Sequence, residues 1–542
     1  MKRKMSFDSS FPALMGIAVL VVSGFASEGR AEPPGKVTFL IDSRQAKPIS
    51  RYIYGTNTGD DTDKAMGWGN IPLNITSSRM GGNYWTPYNW ENNATNMGHD
   101  DSNQNADILG GGDVPGEAVR LGIVGAHSMN AAAIVTVPIC GHVAADKIYN
   151  GDVAKTTNYL STRLRILVAK KNAPFSLPPN PGDAAVYQDE FIHFLEVKFP
   201  RAWDDPVKRI FFTLDNEPDL WSESHPALHP SKATYDEIRK KTIAYATAIK
   251  DVAPKALVFA PGTSGWGAMV NFQDAPDGNG QDFQSWFLQR MKEAEVASGK
   301  RLLDALDFHW YPEWNGSGVL DAPDDNSDAN AAARVQAPRS LWDPAFTETT
   351  WITEGFTLGP IRLLARVQQK IDANYPGTKM AIGEYSYGGG GHISGALAQA
   401  DVLGIFGREG VFAANLHRFG SKNQAFVHAG FKLYRSYDGA NGTFGDTSVK
   451  AEMSDASKSS VYASVDAGKP DRMVVVAINK TSGTLRAKIA ITHTVRFAKA
   501  ELWRLTGVSP TIARIQDIPI GTENSFTYVM PAMSATTLVL RP

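Results

Sequence analysis

At 542 residues the chain is too long for one ordinary core, so two domains are expected, one of them large. Hydrophobic residues at 43% with 20% charged exclude disorder, and 54 Lys+Arg against 56 Asp+Glu leave a net charge of only -2. With no basic run beyond the first four residues, nothing points to a nucleic-acid partner.

Lys2, Arg3 and Lys4 precede the apolar stretch "FPALMGIAVLVVSGFA" (11–26), and small residues follow it. That order predicts a signal peptide over 1–31, cleaved after Ala26 or Ala31, and a secreted protein (extracellular or periplasmic) that leaves the membrane. A membrane anchor is the competing reading, opposed by Ser23, Gly24 and the small-residue exit. The strand-like "KVTFLIDSRQA" (36–46) comes next and is expected to join a β domain further along the chain.

From residue 50 to 435, short apolar runs recur and end in polar or aromatic residues. They are "RYIYGTN" (51–57), "SSRMGGN" (77–83), "AAIVTVPICG" (132–141), "RIFFTLDNEP" (209–218), "ALVFAPGTSGW" (256–266), "ALDFHWYPE" (305–313), "KMAIGEYSYG" (379–388) and "GVFAANLH" (410–417). Helical stretches with apolar residues at three and four lie between several of them: "DEFIHFLEVKF", "YDEIRKKTIAYATAIKDV", "DFQSWFLQRMKEAEVAS" and "PIRLLARVQQKIDANYPG". Strand then helix, about eight times, is the pattern of an α/β fold of the (β/α)8 TIM-barrel type. A doubly wound sheet would carry a glycine-rich phosphate loop after the first strand, and none is present. Cys140 sits in the third run and reads as a buried small hydrophobe; being the only cysteine, it excludes any intrachain disulfide. The acidic "DAPDDNSDANAAA" (321–333) reads as a surface loop. From 436 to 542 the runs shorten and several alternate, which predicts a C-terminal antiparallel β-sandwich domain packed on the barrel.

Side chains at the C-terminal ends of barrel strands face the active site. The fourth run ends in Asn216 and Glu217, the sixth in His309, Trp310 and Tyr311, the seventh in Glu384 and Tyr385. Two carboxyl groups facing each other across the mouth, about 5–5.5 Å apart, are what a retaining glycosidase needs, one to donate a proton and one to attack the anomeric carbon. Asn216 is placed to grip a sugar 2-hydroxyl. Trp85, Trp90, Trp221 and Trp310, with Tyr88 and Trp266, are candidate faces for sugar stacking. Glu354, in "WITEGF", is the rival nucleophile but lacks a strand of its own.

Several long stretches match one family: "YIYGTN", "GGNYWTPYNWENNATN" (81–96), "VYQDEF" (186–191), "DNEPDLW", "FHWYPE", "YPGTKMAIGEYSYGGGGHISG" (375–395) and "AQADVLGIFGREGVF" (398–412). From about 51 to 415 the chain resembles glycoside hydrolase family 44, retaining β-1,4-glucan endohydrolases that act on cellulose derivatives and xyloglucan. The resemblance implies that Glu217 is the general acid/base and Glu384 the nucleophile, with the Tyr311 hydroxyl on the nucleophile. It implies a β-glucan polysaccharide as substrate. Two positions depart from the pattern: Tyr84 stands where an arginine is expected after "GGN", and the eighth run ends Asn415, Leu416, His417 where related barrels often carry a tryptophan. The chemistry requires no cofactor or metal. Asp60, Asp61 and Asp63 are candidate ligands for a structural calcium, with a solvated acidic loop the simpler reading. A monomer is expected. The competing readings are a mannanase or xylanase on the same scaffold, and a carbohydrate-binding protein without catalysis, which the presence of both glutamates opposes.

Overall fold

Each of the eight apolar runs contains a strand, and the eight close into a parallel barrel in a computed structural model that describes residues 34–58, 73–316, 318–319, 326–417 and 423–542. The expected signal segment and Asp60, Asp61 and Asp63 lie outside these residues. The barrel strands are β1 (Gly55–Thr58), β2 (Ser77–Met80), β3 (Ala132–Val137), β4 (Ile210–Leu214), β5 (Val258–Thr263), β6 (Ala305–Trp310), β7 (Lys379–Tyr385) and β8 (Ala413–Leu416). β3 to β6 are buried at every position, which is why they read as unbroken apolar runs: helices cover the outer face and side chains fill the inside. The floor is filled by size alternation. Tyr52, Phe211 and Phe259 pack there against Ala132, Ala305, Ala381 and Ala413, with Phe211 and Phe259 stacked 5.3 Å apart. Above this apolar plug the inward positions turn polar, beginning with Thr213, whose hydroxyl donates to Asp307 at 3.1 Å.

The helices stand where periodicity places them. Tyr235–Val252 starts at Thr234, whose hydroxyl accepts from the Glu237 N–H at 3.0 Å, carries Asp236 and Glu237 in its first turn, and buries Ile238, Thr242, Tyr245, Ala246 and Ile249. The reading of 321–333 as a loop is corrected over its second half. Asp328–Gln336 is a helix, capped by the Ser327 side chain, and its alanine run favours that state strongly enough to outweigh the acidic flank.

The last barrel helix, Ala425–Arg435, leads into the β domain. Nine strands hydrogen-bond in the order 509–519, 499–506, 534–541, 469–479, 459–466, 447–453, 35–48, 485–492, 525–530. All neighbours are antiparallel except 35–48 with 485–492, which arrives from the other end of the chain. Strand 469–479 explains how this sheet is used. Met473, Val475 and Ala477 enter the domain's own core, while Val474, Val476 and Ile478 join the core of the barrel. Both faces are buried, so the strand reads "MVVVAI" instead of alternating.

Helix Ile393–Glu409 fills the seam and is buried from Ile393 through Gly407. A Cβ at Gly404 would overlap the Tyr462 ring, so only glycine allows this approach. Asp401 in the same helix accepts from the Tyr462 hydroxyl at 2.6 Å and pairs with Lys480 at 2.6 Å, both charges 1% exposed. Removing one partner of such a pair costs about 3–5 kcal/mol, since the other charge stays buried alone.

Candidate active site

The chain leaves β4 through a turn that few residues adopt willingly. Asp215 and Glu217 both have left-handed backbone, φ 64° and 43°, and Pro218 then starts a short 3-10 turn, Pro218–Leu220. Left-handed geometry at a non-glycine residue costs about 1–2 kcal/mol, so the surroundings must hold it. Asp215 does most of this. Its buried carboxylate accepts from the Thr86 hydroxyl at 2.5 Å, the Ile139 N–H at 2.6 Å and the Asn216 N–H at 2.9 Å. The Glu217 N–H adds a bond to Gly262 O at 3.0 Å. Asp219 closes the turn by accepting from the Ser264 N–H at 3.1 Å and from its hydroxyl; burial, helped by the Glu217 carboxylate, pushes the Asp219 carboxyl up to about 7.

Glu384 reaches the mouth by another device. The pairing of β6 with β7 runs Phe308 to Ile382 and then His309 to Glu384, leaving Gly383 as an extra residue in a bulge. A Cβ at Gly383 would lie 2.8 Å from Asp307 and 3.1 Å from His309 Nε2, so glycine lets β6 side chains crowd in beside Glu384. The carboxylate then collects donors from three strands. Arg79 Nη1, at the end of β2, donates to Oε1 at 2.7 Å; the Tyr311 hydroxyl and His417 Nδ1 lie 2.7 and 2.8 Å from Oε2. His309 Nδ1 sits between the two acids, 2.7 Å from Glu217 Oε1 and 3.6 Å from Glu384 Oε2. One oxygen of each glutamate and a nitrogen of His309 all lie within 4.8 Å of one another.

The charges follow from these contacts. Burial pushes the Glu384 carboxyl up, but His309, His417 and Arg79 outweigh it and hold the group well below the usual carboxylate range. Burial pulls His309 down, while the charges of Glu384 and Glu217 prevail and raise it. The Glu–His–Glu cluster has the donor types of a metal site, yet the Arg79 guanidinium already touches Glu384 and would repel a cation there.

Of the residues singled out in the sequence, the structure brings together Glu217, Glu384, Asn216, His309 and Tyr311. Asn216 Oδ1 accepts from Arg79 Nη2 at 3.0 Å and from the Gly82 N–H at 3.2 Å, so it braces the cradle of the nucleophile. Five of the six rings offered for stacking are corrected: Trp85, Tyr88, Trp90, Trp221 and Trp310 are core residues with no open face, as is Tyr385 at the end of β7, while Trp266 is partly buried. Trp90 is packed by Phe191 and Phe194, and Trp221 by His229 and Lys241. Trp85 meets Tyr88, while Tyr385 lies against Phe406 with its hydroxyl accepting from Gln399 at 2.9 Å. Glu354 is exposed in the short π-helix Thr353–Thr357 and accepts from Asn315, and it is not among the groups that meet Glu217 or Glu384. Arg79 is the functional residue that sequence reasoning passed over, although it stands at a strand end within "SSRMGGN". Asn57 is another, its Oδ1 accepting from Arg79 at 2.9 Å.

The model of glycoside hydrolase family 44 matches residues 86–314. An endoglucanase A of Paenibacillus lautus is 39% identical over 522 residues, covering 93% of this chain and 72% of that protein. A beta-mannanase/endoglucanase A of Caldicellulosiruptor saccharolyticus is 37% identical over 89% of this chain, which spans 37% of it. The solved structure of a Paenibacillus polymyxa xyloglucanase of family 44 with xyloglucan superposes with a TM-score of 0.87 at 38% identity, over 94% of this chain and 100% of that one. A strand-by-strand barrel with paired glutamates and relatives of this coverage leave one assignment: the chain belongs to glycoside hydrolase family 44 and is an endo-acting glycoside hydrolase.

Proposed function

We propose that the chain cleaves internal β-1,4-glucosidic bonds of cellulose-type glucans, xyloglucan or both, by double displacement with Glu384 as nucleophile and Glu217 as acid/base. The observation that carries this reading is the approach of the two carboxylates, oxygen to oxygen within 4.8 Å. Retaining enzymes keep the pair at about 5–5.5 Å, whereas inverting enzymes need about 6.5–9.5 Å to admit a water. In the first step Glu384 attacks the anomeric carbon while Glu217 gives its proton to the departing glycosidic oxygen. In the second, Glu217 takes a proton from water, the water oxygen bonds to the anomeric carbon, and the ester to Glu384 breaks with net retention. No step calls for a metal or cofactor. The substrate reading is supported by relatives named endoglucanase and xyloglucanase. Mannan is the second reading, supported by the relative named for both activities. Export through the N-terminal signal completes the proposal, supported by the basic, apolar, small-residue order of residues 2–31, and action as a monomer is part of the same reading.

Reducing-sugar release from xyloglucan, carboxymethyl cellulose, mannan and xylan tests it. Wild type should cleave one or both glucans, and Glu384→Gln should lose roughly 10^4-fold or more of that activity. Cleavage confined to mannan or xylan would keep the mechanism and replace the substrate. A folded wild type inert on all four would overturn the proposal.

A further inference from the structure

One donor to Glu384 comes from just beyond the end of the eighth barrel strand. His417 follows the last residue of β8, and its backbone N–H donates to Tyr385 O at 2.9 Å, which stitches it beside the nucleophile strand. Its Nδ1 lies 2.8 Å from Glu384 Oε2, the oxygen that also accepts from Tyr311. The Tyr311 and His417 rings are 6.4 Å apart at 64°, so the two donors reach that oxygen from different sides. The side chain is 19% exposed. An indole at this position would offer one neutral donor; an imidazole offers a donor and a titratable charge.

We propose that His417 is a positioning residue for the nucleophile: its Nδ1–H fixes Glu384 Oε2 together with Tyr311, and its charge favours the ionised carboxylate. The proposal rests on the reading of Glu384 as nucleophile. Among the described residues, the groups that face Glu384 are Arg79 from β2, Glu217 beyond β4, His309 and Tyr311 from β6, and His417 from β8. Arg79 holds the other oxygen, Oε1, and His309 divides its Nδ1 between two acids. His417 therefore adds a separate, pH-dependent hold. It acts in both chemical steps. Before attack it keeps the carboxylate free of a proton. When the glycosyl ester breaks, the bonding pair returns to the carboxylate, and a donor on Oε2 stabilises that returning charge.

His417→Phe removes donor and charge while keeping a ring; His417→Gln keeps a donor without charge. The acid limb of kcat/KM should move up by about one pH unit in both, since the carboxylate protonates more readily without the cation. At the optimum, kcat should fall about tenfold in the Phe variant and return most of the way in the Gln variant, with KM little changed. Trapping with a dinitrophenyl 2-deoxy-2-fluoro-β-cellobioside, followed by peptide mass mapping, separates the two layers. Label on Glu384 with an unmoved acid limb in both variants overturns the role of His417 alone. Label on any other residue overturns the nucleophile assignment and this inference with it. If the Phe variant does not fold, the Gln variant carries the test through its limb.

Discussion

Glu384 lies within a strand and takes bonds from three other strands, one donor being the Arg79 guanidinium and another the His417 imidazole, whereas Glu217 lies in a left-handed turn and, among the described residues, has one side-chain hydrogen bond, with His309. The first group is held mainly by charge, the second mainly by backbone. This division suits the proposed chemistry. A nucleophile must stay ionised in a buried place, which nearby cations and converging hydrogen-bond donors ensure. An acid/base must gain and lose a proton in each cycle, so its geometry has to persist without depending on its charge. The molecule secures that by hanging the turn on Asp215, a different carboxylate, and on main-chain bonds.

The comparison is sharpest in the two alanine variants. With an activated aryl β-cellobioside, Glu217→Ala should still form the glycosyl-enzyme and stall at its hydrolysis; azide should rescue turnover and give the β-glycosyl azide. Glu384→Ala should lose on the order of 10^4-fold or more, with azide giving the α-product. Product anomers read by NMR decide it, and the same anomer from both variants would sink the role assignment. Arg79→Met comes next. It strips the closest charge from a buried carboxylate, which predicts a loss of kcat/KM of about 10^2–10^4-fold, from about 3–5 kcal/mol for a broken buried pair. The sign of the pH effect follows from the depressed Glu384 carboxyl: without Arg79 it protonates at higher pH, so the acid limb moves up. A pH–rate profile checks both, and an unmoved limb would mean that the two histidines suffice.

Much of this was legible in the chain, and the rest was hidden for a physical reason. All eight strands and four of the longer helices came from local periodicity, which a covered parallel barrel imposes directly on sequence, whereas Ile393–Glu409, buried along nearly its whole length, has no polar face to show a period. Glu217, His309, Tyr311 and Glu384 came from the strand-end rule. The same rule pointed at Arg79, but nothing beside "MGGN" in the sequence reveals what the arginine binds, because Glu384 lies 305 residues away. Tryptophans misled for the opposite reason. A strand-end ring serves as platform or as core depending on what packs over it, and for Trp90 those neighbours are Phe191 and Phe194, a hundred residues downstream. At 328–336 the acidic residues signal a loop and the alanines with their Ser327 cap signal a helix, and the helical signal prevails.

The smallest expected effect tests the backbone half of the comparison. Asp215 offers only acceptors and meets three donors; Asp215→Asn exchanges one acceptor for an NH2. Whichever way the amide turns, a buried backbone N–H, of Ile139 or of Asn216, loses its acceptor. An unsatisfied buried group costs about 1–3 kcal/mol, and the cost falls on the turn that keeps Glu217 at φ 43°. The variant should melt several degrees lower and lose about tenfold in kcat, with KM nearly unchanged, because the acid/base is misplaced while the cradle of Glu384 stays intact. The fluoro-sugar trap should still label Glu384 at close to the wild-type rate, since a dinitrophenolate leaves without help from an acid. Slow trapping would mean that the turn also shapes the nucleophile side, through Asn216 and its bond to Arg79, and that the two carboxylates are not held independently.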